Sequence, residues 1–475
     1  MIKYLKETLA RYERAKTIKL LCSVDPERLE QFGIKGVFPA FRRAATKVPA
    51  YKKILQDHHV DYRAITDIEQ FKKTVPLIDK NSLFPKFEIE DLCVGGRLED
   101  MKSAMSSSGF SGVFSFGINT PRNYRDTARS IDTALEYTFG IDRKKTFLVN
   151  CVPMGVKVTS SLRLTETSVR ADMALALIKK FSPKFDQTII VSDPHFIKKI
   201  VEDGIQEGID WKKINVSLIF GEDWFSDSFR CYMAHLIGMD VNNPQGRFVG
   251  ATMGIAELDL NLFHESVHSA RIRHLAQQDA AVRKLLFGGD EKISPILFHY
   301  YPHRIFLESI GPTEKDKELV FTMLSPHMLV PLIRYNSKDR GSVIGYNKLK
   351  KILINTGHAD LVPELKLPLV WVAGRNDRFL EVRNNRIYPE EIKQGLYEDF
   401  QVASETTGYF RLNKEKQILE IQLLPGILVT DELKLRFAKA LFKYCETDLP
   451  LIIYPYQQFP YSMVLDYERK FLHIK

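Results

Sequence analysis

A chain of 475 residues that is 44% hydrophobic can bury a large core and should form more than one domain, and nothing in its composition suggests disorder. The formal charge of +9 raises nucleic acid as a partner. However, Lys and Arg are spread along the chain, and short groups such as Lys348-Leu349-Lys350-Lys351 suit solvated faces, so no nucleic-acid partner is expected.

The amino terminus, Met1-Ile2-Lys3-Tyr4-Leu5-Lys6-Glu7, reads as the start of an amphipathic helix and lacks the apolar core of a signal peptide. No run approaches transmembrane length, so no membrane insertion is expected. Cys22, Cys93, Cys151, Cys231 and Cys445 have no CxxC spacing, which argues against a disulfide framework or a thiolate zinc site and fits a reducing cytoplasm.

Apolar runs at 146–150, 188–191 and 216–220 read as buried strands alternating with helical stretches at 172–180 and 195–202, the signature of an α/β fold. Pro331-Leu332-Ile333 reads as an apolar strand giving way to Arg334 and Asp339. Leu369-Val370-Trp371-Val372 is a further buried strand ending at Gly374, and Phe379-Leu380-Glu381-Val382 a half-buried one. Beyond it come a helix opening at Pro389-Glu390-Glu391, strands at 408–412 and 417–424, a helix at 431–444 and a strand at 451–454. About a hundred residues of this kind make a small α+β domain. The expected division is 1–376 for a large domain and 377–475 for the small one, joined near Asp377.

Five segments carry chemistry. Ser106-Ser107-Ser108-Gly109-Phe110-Ser111-Gly112 can offer backbone N–H groups and hydroxyls to phosphate oxygens, although a serine-rich surface loop has the same composition. No Gly-Lys-Ser/Thr follows, so it is not a Walker loop. Phe220-Gly221-Glu222 at a strand end and Met253-Gly254-Ile255-Ala256-Glu257 place glycines and a carboxylate where α/β folds accept ligands; Glu257 could hold Mg²⁺ or be an ordinary surface acid. Asp339 can accept hydrogen bonds from two ribose hydroxyls. Gly374-Arg375-Asn376-Asp377-Arg378 is a charged loop suited to an anion, and Lys470, near the carboxy terminus, can bring a positive charge into a cleft.

In this order the segments resemble the adenylate-forming superfamily of acyl- and aryl-CoA ligases, in its phenylacetate-CoA ligase and capsule-biosynthesis-type branch. Ser107-Ser108-Gly109-Phe110-Ser111-Gly112 is similar to the family's Ser-Ser-Gly-Thr-Thr-Gly, and Met253 to Glu257 to its Tyr-Gly-x-Thr/Ala-Glu. Pro331 to Asp339 resembles Pro-Leu-Ile-Arg-Tyr-Arg-Thr-Gly-Asp, Gly374 to Asp377 the Gly-Arg-x-Asp hinge, and Glu468 to Leu472 the terminal Ser-Gly-Lys-Phe-Arg.

The resemblance implies a large adenylation domain with mixed sheets and a small mobile α+β domain. It implies activation of a carboxylic acid by Mg·ATP and transfer of the acyl group to CoA, an amine, a hydroxyl or a carrier protein, with a dimer possible. By the same resemblance, Ser107, Ser108, Gly109, Ser111 and Gly112 would hold phosphates and Glu257 the Mg²⁺. Gly221, Glu222, Met253, Gly254, Asp339 and Arg375 would meet the nucleotide, and Lys470 the developing charge.

The departures are specific. Val113-Phe114 stand where Lys-Pro usually follows the loop, which removes a phosphate contact. Met253 replaces an adenine-stacking tyrosine, Ser337-Lys338 replace Thr-Gly, and Asn384 replaces a glycine whose backbone lines the pantetheine tunnel.

A competing pattern is His264-Glu265-Ser266-Val267-His268, a literal HExxH with His274 at a third-ligand spacing. Arg271 stands where that pattern needs glycine, and on one continuous helix over 266–287 His274 would point away from His268. A surface helix with incidental histidines is the expected outcome, and Cys231 with His235, one turn apart, is weaker still. The alternatives kept are a zinc hydrolase on His264 and His268, and an inactive adenylation-domain homologue acting as a binding protein. Residues 150–155 with Phe220 and Trp224 could line an acyl pocket, although buried core is the expected role of most of these side chains.

Overall fold

The computed structural model describes residues 2–107, 109, 112–153, 156–289, 292–314, 316–445, 449–461, 467, 468 and 470–474. The amino-terminal quarter is helical. Its second helix, Pro26–Lys47, starts with proline at the first helical position, where no N–H is needed, and Asp25 accepts the Glu27 N–H at 3.0 Å. A short hairpin follows, β1 (Ser103–Ser106) and β2 (Phe116–Asn119).

The centre is one mixed sheet of 11 strands. Its first half is parallel: β3 (Thr146–Asn150), β4 (Arg163–Glu166), β5 (Gln187–Ser192), β6 (Val216–Phe220) and β7 (Val249–Ile255), in the order β4-β3-β5-β6-β7. β3, β5 and β6 are buried at every residue, because helices cover both faces of a parallel sheet. That is why they read as unbroken apolar runs.

The second half is antiparallel: β8 (Asp259–His264), β9 (Ile296–Tyr300), β10 (Ile305–Ile310), β11 (Glu318–Met323), β12 (Tyr335–Ile344) and β13 (Leu369–Arg375) continue it as β8-β9-β13-β12-β11-β10. β7 and β8 are antiparallel, so the sheet changes sense between them. Ligand clefts in open α/β sheets form beyond strand carboxyl ends at such switches.

β14 (Leu380–Val382) and β15 (Asn385–Ile387) form a hairpin whose turn residues, Arg383 and Asn384, both have positive φ (49° and 66°). Such a two-residue turn matches strand twist, and asparagine tolerates the left-handed region, so Asn384 keeps the backbone shape that glycine would give.

The carboxy-terminal part carries a separate sheet of β16 (Thr406–Asn413), β17 (Ile418–Leu423) and β18 (Leu451–Tyr454), with helices Pro389–Glu398 and Asp431–Phe442. It docks through Pro389–Glu398 onto the helix Asp227–Ile237. Ser226 Oγ donates to the Lys393 carbonyl at 3.1 Å and Ser228 Oγ to that of Gln394 at 2.8 Å. The α/β class and the small carboxy-terminal α+β part are as expected.

Two local expectations are corrected. Pro331-Leu332-Ile333 is not a strand: Arg334 sits at φ 52° and the strand begins at Tyr335. Those apolar residues are core packing, and the Arg334 guanidinium turns inward to a bidentate pair with Glu308 at 3.0 and 2.9 Å. β13 also runs past Gly374 to Arg375. There the φ of 89° and a Glu390 carboxylate oxygen 2.0 Å from where a Cβ would stand restrict the position to glycine.

Candidate active site

A continuous cavity of about 700 Å³ opens beyond the ends of β6 and β7, between the large sheet, the β1–β2 hairpin and the carboxy-terminal tail. The predicted segments converge on its polar end. Ser107 follows β1, and its N–H donates to the Ser115 carbonyl at 2.9 Å, closing the base of the loop. Gly109 and Gly112 have φ of 64° and 84°, and the Gly112 N–H donates to the Gly109 carbonyl at 2.9 Å. Ser108 and Ser111, expected on the same phosphates, lie outside the described residues. The hairpin lies directly on the segment bearing Glu257, because a Cβ at Gly117 would meet the Ala256 carbonyl oxygen at 1.8 Å.

Glu257 is not a surface acid. It is 6% exposed, and its carboxylate accepts from the Tyr335 hydroxyl at 2.5 Å. Burial, and then the Glu257 charge, push the Tyr335 hydroxyl far above its ordinary value, so it remains a donor. Met253 and Gly254, at the end of β7, line the cavity beside Glu257, and Gly221, Glu222 and Asp223 line it from the end of β6.

Asp339 and Arg375 are cross-strand partners on β12 and β13. Burial raises the Asp339 carboxyl above its usual range, and Arg375 opposes that rise. Arg375 holds Asp377 in a bidentate pair at 3.0 and 3.1 Å. Lys470 reaches in from the tail; its ammonium donates to the Glu222 carbonyl and lies 3.4 Å from the Glu222 carboxylate.

Lys80 is one residue that sequence reading missed. It opens the short helix Lys80–Leu83, capped by Asp79, and its ammonium donates to Ser107 Oγ at 2.9 Å. Ser107 Oγ also accepts the Ser115 N–H at 3.1 Å. Main-chain pairing of Ile78 with the start of β12 brings Lys80 there: Ile78 N–H to the Arg334 carbonyl at 3.1 Å and Asn336 N–H to the Ile78 carbonyl at 2.8 Å. Burial lowers the Lys80 pKa, and nearby Glu257 opposes the shift. A cation thus touches the serine loop although Val113-Phe114 follow it. The local signal was Asp79-Lys80-Asn81-Ser82, a helix start, which says nothing about a partner 27 residues away.

Asp223 and Lys393 were missed as well. Lys393 bonds Asp223 at 2.5 Å and the Trp224 carbonyl at 2.9 Å, tying the carboxy-terminal part to the cavity edge.

The chain has the fold of the adenylate-forming ligases. It is similar in structure to 2-hydroxyisobutyryl-CoA ligase in the postadenylation state with 2-HIB-AMP, at TM-score 0.68 and 13% identity over 94% of this chain and 89% of that one. Against an open conformation of that ligase with 2-HIB-AMP and CoA the TM-score is 0.56, at 13% identity over 93% and 90%. Against its thioesterification state it is 0.54, at 13% identity over 95% and 90%. No family model and no curated protein matches the sequence.

Within this ligase fold the HExxH pattern does not form a zincin helix. His264 ends β8, Ser266 caps the next helix, and His268 lies on that helix, Val267–Gln278, so the two histidines do not share a helical face. The helical stretch does not run unbroken over 266–287: it breaks at Asp279, which caps Ala280–Phe287. Glu265 is locked by two bonds from Arg230, at 2.7 and 2.9 Å, and the Ala251 N–H at 2.8 Å. Its carboxylate therefore has no freedom to serve a zinc-bound water.

Burial lowers the His264 pKa to about 4. His274 Nδ1 is bonded to Asp227 at 2.7 Å, and that bond raises its pKa to about 10. Cys231 lies 3.8 Å from His274. Metal analysis of the purified protein is expected to find far less than one equivalent of zinc; a stoichiometric ion lost in His268→Ala would overturn this.

Of the acyl-pocket candidates, Val152 and Trp224 line the cavity, Asn150, Cys151, Pro153 and Phe220 are buried away from its lining, and Met154 and Gly155 lie outside the described residues. No helix among the described residues is long and apolar enough to cross a membrane.

Proposed function

We propose that the protein activates a carboxylic acid with Mg·ATP and passes the acyl group to a thiol, with CoA as the acceptor. A substrate carboxylate oxygen attacks the α-phosphorus, the bond to the bridging oxygen breaks, and pyrophosphate leaves an acyl-adenylate. The thiol sulfur then attacks the acyl carbon, its proton passes to solvent, the bond from the acyl carbon to the phosphate oxygen breaks, and AMP leaves.

One observation carries the reading: Ser107 with Lys80, Glu257, Asp339 with Arg375, and Lys470 all meet at one end of a cavity whose other end is apolar. Little covalent chemistry falls to the protein in such a reaction, so positioning and charge dominate. Lys80 and the loop at 107–112 would hold the β- and γ-phosphates. Asp339 would accept from the ribose hydroxyls beside Arg375, with Met253 and Gly254 against the base and Gly221 and Glu222 flanking it. Lys470 would stabilise the charge that develops at the α-phosphate.

Glu257 suits Mg²⁺, since Tyr335 engages only one of its carboxylate oxygens and this ion commonly takes one protein carboxylate together with phosphate oxygens. When bound it supplies positive charge to the phosphates.

The reading divides the chain at 376/377, with the carboxy-terminal part turning about Asp377 between half-reactions. That motion would withdraw Lys470 and bring the hairpin at 383–386 to the acceptor. The higher similarity to a postadenylation state than to a thioesterification state of one ligase supports the first arrangement here.

The test is exchange of labelled pyrophosphate into ATP. Exchange is expected to require both an acid and Mg²⁺. No exchange with any of a panel of aliphatic and aryl acids, together with no ATP binding by calorimetry, would leave a binding protein instead.

A further inference from the structure

Behind the polar cluster the cavity continues as an apolar tunnel. Its roof is the helix Pro121–Phe139, which opens on a Thr120 cap and stops at left-handed Gly140. Ile131, Leu135 and Phe139, spaced i, i+4 and i+8, turn one face of that helix onto the cavity. The floor is the parallel sheet, with Leu148 on β3 and Ile219 on β6.

The depth follows from both walls. Ile131 to Phe139 spans about 12 Å at the helical rise. Phe248, just before β7, stands about 13 Å along the strand from Thr252 at the polar end. The rings of Phe139 and Phe248 meet edge to face, 5.9 Å between centroids, and close the far end.

The polar side chains of this wall offer no charge to a ligand. Asn261 Nδ2 bonds Ser130 at 3.3 Å, Glu265 is held by Arg230, and burial keeps His264 neutral.

The geometry points to an extended aliphatic acid of medium length, about eight to ten carbons for a tunnel this deep, as the substrate class. This rests on the adenylation reading for the carboxylate end only. A flat ring would fill the mouth and leave the deeper half of the tunnel empty, forfeiting its contacts.

Two measurements test it on the full-length protein. Calorimetric titration with straight-chain acids from butyrate to palmitate, beside benzoate and phenylacetate, reads the tunnel without chemistry. Affinity is expected to rise about four-fold per methylene up to the tunnel length and then level. Phe248→Ala is expected to move the optimum to longer acids and Ala134→Phe to shorter ones; the wild-type series decides the matter even if neither variant folds.

Affinity independent of chain length, or phenylacetate binding more tightly than octanoate, would overturn the inference. Pyrophosphate exchange with the same acids separates the two readings. Chain-length-dependent binding without exchange removes adenylation and keeps the tunnel, whereas exchange with aryl acids alone does the reverse.

Discussion

Lys470→Ala is expected to lower acid-dependent pyrophosphate exchange by at least ~10²–10³-fold, the loss typical when one preorganised donor to a developing charge is removed. The position of this side chain is built by the last residues of the chain. The Leu412 N–H donates to the His473 carbonyl at 2.7 Å, extending the β16 edge, and the His473 ring stacks on Phe410 with 4.2 Å between centroids. Phe471 packs against Tyr409. These contacts hold the tail while the Lys470 side chain, about one-third exposed, rests its ammonium on Glu222 at the cavity mouth.

The variant should fold normally, because Lys470 is not part of that packing. Thioester formation from a supplied acyl-adenylate should survive, because that step follows withdrawal of the lysine. Equal loss of both half-reactions, or an unchanged exchange rate, would remove Lys470 from the adenylation step.

Lys80→Ala is expected to cost about 10²-fold in kcat/KM for ATP, since a charge-assisted contact in a part-buried site is lost and Ser107 Oγ keeps only the Ser115 N–H as a donor. This lysine also predicts a pH signature. Burial lowers its pKa, so the ammonium is lost at a lower pH than for an ordinary lysine, and activity should fall on the alkaline side as that proton leaves. Lys80→Arg keeps the charge at all accessible pH and should remove this alkaline limb while recovering part of the rate. An alkaline limb unchanged in Lys80→Arg would assign it to another group. Wild-type ATP kinetics in Lys80→Ala would make the Ser107 contact merely structural.

The parallel strands and the order of the motifs were legible because both signals are local. A strand buried on both faces is a continuous apolar run, as at 146–150 and 216–220, and each motif lies within a few consecutive residues. The same locality misled at Pro331-Leu332-Ile333, where apolar residues mean core packing in an irregular segment. It misled again at His264 to His268, where a strand ends and a helix begins inside what reads as one helical pattern.

Composition and spacing therefore determined the α/β class and the small carboxy-terminal α+β part, and resemblance to the adenylate-forming ligases singled out the candidates Ser107, Glu257, Asp339, Arg375 and Lys470. Tertiary structure alone decided that Glu257 is buried under Tyr335, that Lys80 stands on Ser107, and that the helix Pro121–Phe139 roofs a tunnel. The physical reason is the range of the forces. Helix starts, turns and apolar runs express interactions within a few residues. By contrast, burial of a carboxylate, delivery of an ammonium and closure of a cavity depend on pairings such as Ile78 with Tyr335, which only the folded chain brings together.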